Sequence, residues 1–371
     1  MIFCMALAGS LLLIISMNAK IDIAGTKTQG IVLKLAAQQI PNQILVSDRA
    51  FDQRLWVKGR LQSASTCPKL MIMGSSTVGG LKQTFFLQSM LNMWFSGASI
   101  EDLEALYVLL EKKQCTPENI VIGLDPWFLN KNQKSERWQS LLDEYTEYQY
   151  EHRSFLQQWL WMKKKWIRFK DLLSYVTTKE TLRYVIQSNG VTQIQVPRLV
   201  NMRISDFCEP DQINRFVDND IKDIYIRDYD GHFENCQQHL PSPEEKLQIA
   251  ESYLARNMHQ MSNWNELDRD VIKRLKKLVQ KYKNLTANIL LVRPPYHPET
   301  YQILQSDPKI AQLLDQMDQA LKQLSDDENV KYLSIINPAY VNCEQTEFND
   351  SHHSNDQCLQ KMAEQVVRIL Q

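Results

Sequence analysis

KLMIMG at residues 69–74, followed by Ser75 and Ser76, is the stretch from which the architecture can be read. The run is apolar at odd and even positions alike and ends in glycine, which fits a strand covered on both faces of a parallel sheet. NIVIGL (119–124), ANILLV (287–292) and VKYLSII (330–336) read as three further buried strands. Helical spacing separates them. Leu103, Leu106, Tyr107 and Leu110 share one face of a helix over 100–113, with Ser99 and Asp102 forming a capping box at its start. Ile310, Leu313, Leu314, Met317, Leu321 and Leu324 form a second stripe, and Leu359, Met362, Val366 and Ile369 a third. Strands alternating with helices predict an α/β class, a three-layer α/β/α domain on a mainly parallel, doubly wound sheet.

Roughly 160 residues separate the second and third of these strands, far beyond an ordinary crossover. A largely helical insertion is therefore expected over about 131–245, within a domain spanning 67–371. Inside it, Phe155, Trp159, Met162, Trp166, Phe169, Leu173 and Val176 lie on one helical face, beside a basic face with Lys163, Lys164, Lys165 and Arg168. Packing on the domain is the favoured reading of that stripe, and a membrane surface the other. Residues 20–66 have no sustained period and read as a stalk or irregular lead-in.

With 42 Lys plus Arg against 43 Asp plus Glu in 371 residues, the chain lacks the basic excess that a phosphate backbone demands, so nucleic acid is not an expected partner. Residues 2–17, IFCMALAGSLLLIISM, carry no charge. As a helix they would reach about 24 Å, short of the roughly 30 Å hydrocarbon layer. The expectation for 1–19 is a signal peptide or minimal membrane anchor, which places the rest outside the cytoplasm. Exported thiols tend to pair. Cys67 and Cys115 each precede a predicted strand by a few residues and would start level if those strands are neighbours. Cys67–Cys115, Cys343–Cys358 and Cys208–Cys236 are the expected bridges. Neither CxxC nor HxxxH spacing occurs, so no metal or cofactor is expected.

Glycine is scarce, 11 residues against roughly 26 at average usage. Yet five fall at Gly74, Gly79, Gly80, Gly97 and Gly123, where strands end. Ligands of open α/β sheets bind outside the carboxyl ends of the strands, which directs attention to Gly74-Ser75-Ser76. A serine nucleophile needs a base, and Asp350-Ser351-His352-His353 follows the last strand. His353 is the candidate base for Ser76, with Asp350 orienting its ring. The Asp228-Tyr229-Asp230-Gly231-His232 segment reads as a solvated turn, with glycan binding, metal binding or a lid as alternatives. Arg293 and His297 follow the third predicted strand and are candidates for substrate contact.

These residues resemble the SGNH, or GDSL-type, hydrolases and acyltransferases. MIMGSS (71–76) matches the family's strand-Gly-Asp-Ser block with Ser75 in place of Asp and Ser76 as nucleophile; Gly97 in FSGAS (95–99) stands for the second block, and Asp350 with His353 for the last. GLDPWFLN (123–130) replaces the third block's Gly-x-Asn-Asp and lacks its asparagine donor, for which Asn130 is the candidate substitute. The Gly-Ser-Ser opening, the SGASxxD stretch and GxDPW look most like the membrane-anchored bacterial subgroup related to alginate O-acetylation proteins and the D-alanine transfer protein of teichoic acid synthesis. The resemblance implies an oxyanion hole from Ser76, Gly97 and Asn130, with Ser75, Asp125 and Trp127 near the substrate. It implies a serine-dependent esterase or O-acyltransferase on an acylated envelope glycan or small ester. The alternative is a non-catalytic scaffold that binds a glycan or a membrane acyltransferase.

Overall fold

The computed structural model describes residues 9–17, 28–47, 51–149, 178, 197–209, 212, 225–233, 236, 241–286 and 288–371. In chain order its principal elements are α1 (Thr28–Gln38), β1 (Ile44–Ser47), α2 (Gln53–Ser63), β2 (Leu70–Gly74), β3 (Met90–Trp94), α3 (Ile100–Lys113), β4 (Asn119–Gly123) and α4 (Leu142–Gln149). There follow β5 (Arg198–Val200), β6 (Tyr225–Asp228), α5 (Pro243–Glu251), α6 (Arg269–Tyr282), β7 (Asn288–Arg293), α7 (Pro298–Ser306), α8 (Pro308–Glu328), β8 (Lys331–Ser334) and α9 (Asp356–Leu370).

Five strands form one parallel sheet in the order β3-β2-β4-β7-β8. Counted along the chain this is 2-1-3-4-5, the order of doubly wound sheets of flavodoxin type, with its switch point between β2 and β4. The pleat sends alternate residues to opposite faces. Met71, Met73, Ile120, Ile122, Ile289 and Leu291 pack with Leu106, Leu278 and Met317 from α3, α6 and α8. Leu70, Ile72, Val121, Leu290 and Val292 pack with Leu359, Met362 and Val366 of α9. Helices on both faces make the three-layer α/β/α fold predicted from the apolar runs.

Three features depart from or extend the sequence reading. β3 has no clear sequence signature, because Asn92 interrupts its apolar run; the structure buries Asn92 and has its Nδ2 donate to Val78 O and Leu81 O at 2.8 and 2.9 Å. The expected stalk holds α1, β1 and α2, with Val32, Trp56, Val57 and Leu61 in the main core. Its helical period is masked because Arg54 and Arg60 are buried too. Arg54 Nε donates to Asp102 Oδ1 at 2.6 Å, joining α2 to the N-terminal turn of α3. Finally, β1 is the centre of a small antiparallel sheet, pairing Leu45 with Leu199 of β5 and with Arg227 of β6. The insertion thus contributes strands as well as α4, while its 155–176 stripe lies outside the described residues.

Cys67–Cys115, Cys208–Cys236 and Cys343–Cys358 are bonded, the three expected pairings. The first follows from register: Leu70 of β2 lies opposite Asn119 of β4, so the preceding cysteines start level. Among the described residues no helix is long and apolar enough to cross a membrane. Of the expected leader, residues 9–17 are helical, and the remainder lies outside the described residues.

Candidate active site

Ser76 is positioned by the end of β2. Gly74 has φ +140°, and a Cβ there would lie 2.7 Å from Gly123 O, so the ends of β2 and β4 approach only because the residue is glycine. Ser75 then caps a single 3-10 turn, Ser76–Val78, its Oγ accepting from Thr77 N. The nucleophile candidate therefore stands at the switch point, outside the carboxyl end of the sheet.

The opposing loop is built from the segment between β8 and α9. Phe348 is fully buried and bridges to Ser354, while Asn349 N donates to His353 O at 2.7 Å. Cys343–Cys358 closes the segment at its base, and His297 N supports it from α7 by donating to Ser351 O at 3.2 Å. Asp350 Oδ1 accepts from the backbone N–H groups of His352 and His353, both at 2.9 Å. Its Oδ2 lies 2.6 Å from His353 Nδ1, and His353 Nε2 lies 2.8 Å from Ser76 Oγ.

Burial alone would raise the Asp350 carboxyl, but His353, His352 and the hydrogen bonds outweigh it and hold the group well below the usual carboxylate range. An ionised Asp350 makes Nδ1 of neutral His353 the donor, leaving Nε2 to accept from the Ser76 hydroxyl. For His353, burial opposes the charge, but Asp350 prevails and raises its pKa. That is the charge arrangement by which an imidazole takes a hydroxyl proton and is stabilised as the cation.

A cleft of about 290 Å³ adjoins this chain, lined by Ser76, Asp350, His353, Trp94, Ser96, Phe51, Gln53, Tyr225, Ile226, Arg227 and Phe233. Much of its wall comes from the lead-in and the insertion, where no motif marks it. Gln53 Oε1 accepts from Ser96 N at 2.6 Å, and Trp94 tilts against Phe233 with ring centroids 4.7 Å apart.

The other candidates divide. Gly97 follows Ser96 in the left-handed region, φ +60°, and lines a second cleft with Trp127 and Asn130. Asn130 does not join the Ser76 cleft: its Nδ2 donates to Gln260 O at 3.0 Å and its Oδ1 accepts from Asn132 N, so the amide is engaged in holding loops together. Trp127 is buried and stacks on His259, with ring centroids 3.8 Å apart. Ser75 and Asp125 are bonded to each other. Arg293 is buried away from the cleft, donating to Leu314 O and paired with Asp318 of α8. His297 caps α7, its Nδ1 accepting from Glu299 N. The Asp228–His232 segment is a turn but not a solvated one. Asp230 and His232 pair in the interior at 2.6 Å, and Asp230 O accepts from Asn92 N at 2.7 Å.

Asp350, His352 and His353 bring ligand-type atoms within 4.8 Å of one another. The Asp350 and His353 atoms already serve the chain to Ser76, and His352 Nδ1 lies 2.9 Å from Ser351 Oγ. Fold and site together define an α/β/α protein with a Ser-His-Asp chain at the carboxyl edge of its parallel sheet. No protein-family model matches the sequence, and no match is found among curated proteins or solved structures.

Proposed function

We propose that the protein is a serine-dependent esterase or O-acyltransferase of the SGNH type, acting through an acyl-serine intermediate on an acylated glycan of the bacterial envelope. The hydrogen-bonded chain from Ser76 through His353 to Asp350, opening on a cleft, carries this reading. Ser76 Oγ attacks the ester carbonyl as His353 Nε2 takes its proton; the carbonyl becomes an oxyanion, and collapse releases the alcohol, which receives the proton from His353. Water or a sugar hydroxyl then attacks the acyl-serine, with His353 again as base. The backbone N–H of Ser76 is the proposed oxyanion donor; Gly97, the second donor implied by the resemblance, lines the neighbouring cleft, while Ser96 beside it lines the Ser76 cleft. The three disulfides support an extracytoplasmic location, and the uncharged residues 2–17 support a leader or anchor in the membrane.

One observation favours the non-catalytic reading, a scaffold binding a glycan or a membrane acyltransferase. The Asn130 amide is committed to Gln260, leaving no assigned side-chain donor for the oxyanion. Such a loss costs on the order of a hundredfold or more in rate. Labelling of the purified protein by a fluorophosphonate probe decides between them. Esterase chemistry predicts labelling that Ser76→Ala abolishes; an unlabelled wild-type protein with intact disulfides supports the scaffold.

A further inference from the structure

Arg227 lines the Ser76 cleft, and the acyl-transfer steps above leave it unused. Its side chain is fully buried. Nε donates to Gly231 O at 3.1 Å, and Nη2 to Asn92 O and Trp94 O at 3.1 and 3.2 Å, so the guanidinium covers carbonyls of edge strand β3. Trp56 and Trp94 lie with ring centroids 4.3 and 4.7 Å from its central carbon. Nη1 has no hydrogen-bond partner. No carboxylate pairs with the group among the described residues, and Asp230, which acts on it electrostatically, is bonded to His232.

Guanidinium groups keep their proton in proteins, so this is a buried cation with one unpaired donor, Nη1, that is itself shielded from solvent. Indole faces and backbone carbonyls offset part of the desolvation cost, but a buried charge without a counter-ion remains unfavourable. Asp350 does not neutralise it, being committed to His353. Half of the other lining residues are aromatic or aliphatic, Phe51, Trp94, Tyr225, Ile226 and Phe233, and the polar half includes the Ser76, His353 and Asp350 chain. An anionic oxygen entering such a cleft gains a charge-assisted hydrogen bond in a medium of low dielectric, whereas an ammonium meets a like charge.

We infer that the cleft selects a carboxylate-bearing ester, with Arg227 Nη1 receiving the carboxylate while the ester carbonyl lies at Ser76. The inference rests on the Ser76 cleft being the substrate site. It excludes a cationic aminoacyl ester as the preferred substrate and makes Arg227 a specificity-determining residue.

Two substrate pairs test it with the wild-type protein. Mono-4-nitrophenyl glutarate against 4-nitrophenyl pentanoate places the charge on the acyl side; 4-acetoxybenzoate against phenyl acetate places it on the alcohol side. A kcat/KM preference for the anion of on the order of tenfold to a hundredfold in either pair supports the inference and identifies the half of the ester bound. Arg227→Lys and Arg227→Gln should bring that ratio toward one. Because Arg227 also joins β6 to β3, binding of glutarate and of glutaramide to the wild-type and Ser76→Ala proteins provides a measurement independent of turnover and of Arg227 variants. Glutarate should bind at least tenfold more tightly than its neutral amide. Ser76-dependent hydrolysis without anion preference overturns the inference and leaves the esterase intact. Absence of hydrolysis with tight glutarate binding overturns the esterase and retains the anion site. Equal binding of glutarate and glutaramide overturns the anion site whether or not esters turn over.

Discussion

Ser75 Oγ donates to Asp125 Oδ2, so the turn that carries Ser76 is tied to the end of β4 through a side chain fifty positions away. Thr77 Oγ1 donates to the same oxygen at 3.0 Å, and Tyr296 OH reaches Oδ1 at 3.4 Å. A serine thus stands where the resembled motif has aspartate, and the acid beside it comes from the neighbouring strand.

Asp125 makes the stability of this turn depend on pH. Burial pushes its carboxyl up to about 6 from 3.8, against the pull of Ser75, Thr77 and His353. A folded pKa above the unfolded one favours the protonated form on folding, so the contribution is full below about pH 4 and is lost as pH rises through 6. Relative to Asp125→Asn, the wild-type protein should lose about 2 to 3 kcal/mol between pH 4 and 7, measured by urea unfolding at successive pH values.

Asp350→Asn removes the charge that raises the His353 pKa. In the proposed mechanism ester cleavage needs neutral His353, so the wild-type rate should climb as pH rises through that raised pKa. In the variant the acid limb should move to lower pH, and the plateau should fall by on the order of a thousandfold or more as the ring loses its orienting acceptor. A pH–rate profile reads both, and a purely structural Asp350 would leave the limb where it was.

Cys343–Cys358 encloses the loop that presents Asp350 and His353. Replacing both cysteines with serine should lower stability by about 3 kcal/mol on the loop-entropy account and reduce the rate of probe labelling at Ser76 in protein that remains folded. Replacing Cys67 and Cys115, whose separation is 48, should cost more stability, about 4 kcal/mol. Thermal melts and labelling rates separate the two effects. Before reduction, none of Cys67, Cys115, Cys208, Cys236, Cys343 and Cys358 should titrate as a thiol in the denatured chain.

Gly231 holds the insertion against the sheet edge. Its φ is +90°, and a Cβ would lie 2.0 Å from Asn92 O. Gly231→Ala should destabilise the protein by about 2 to 4 kcal/mol through backbone strain and overlap, with protection of the β3 amides from hydrogen exchange falling first.

What could be read from residue order was local. β2, β4 and β7 announced themselves because burial on both faces leaves a nearly continuous apolar run, whereas β8, expected to be buried, is a half-buried edge strand carrying Lys331 and Ser334; α3 was legible because its capping box and stripe lie within a few turns of chain. β3 and the lead-in helices were hidden by Asn92, Arg54 and Arg60, polar groups that are buried because distant partners satisfy them. The small β5-β1-β6 sheet was equally hidden, since its pairing joins residues from the lead-in to residues of the insertion.

The sequence by itself determined the α/β class, because strand burial and helical spacing are written into neighbouring residues, and it offered Ser76, His353 and Asp350 as candidates through their places after predicted strands and the motifs they resemble. Only the tertiary structure decided that Ser76 and His353 meet at 2.8 Å, that Asn130 is committed to Gln260, and that a buried arginine from the insertion lines the cleft. Those outcomes depend on which strand edges and loops come together when the sheet is wound, and contacts of that kind leave no period in the chain.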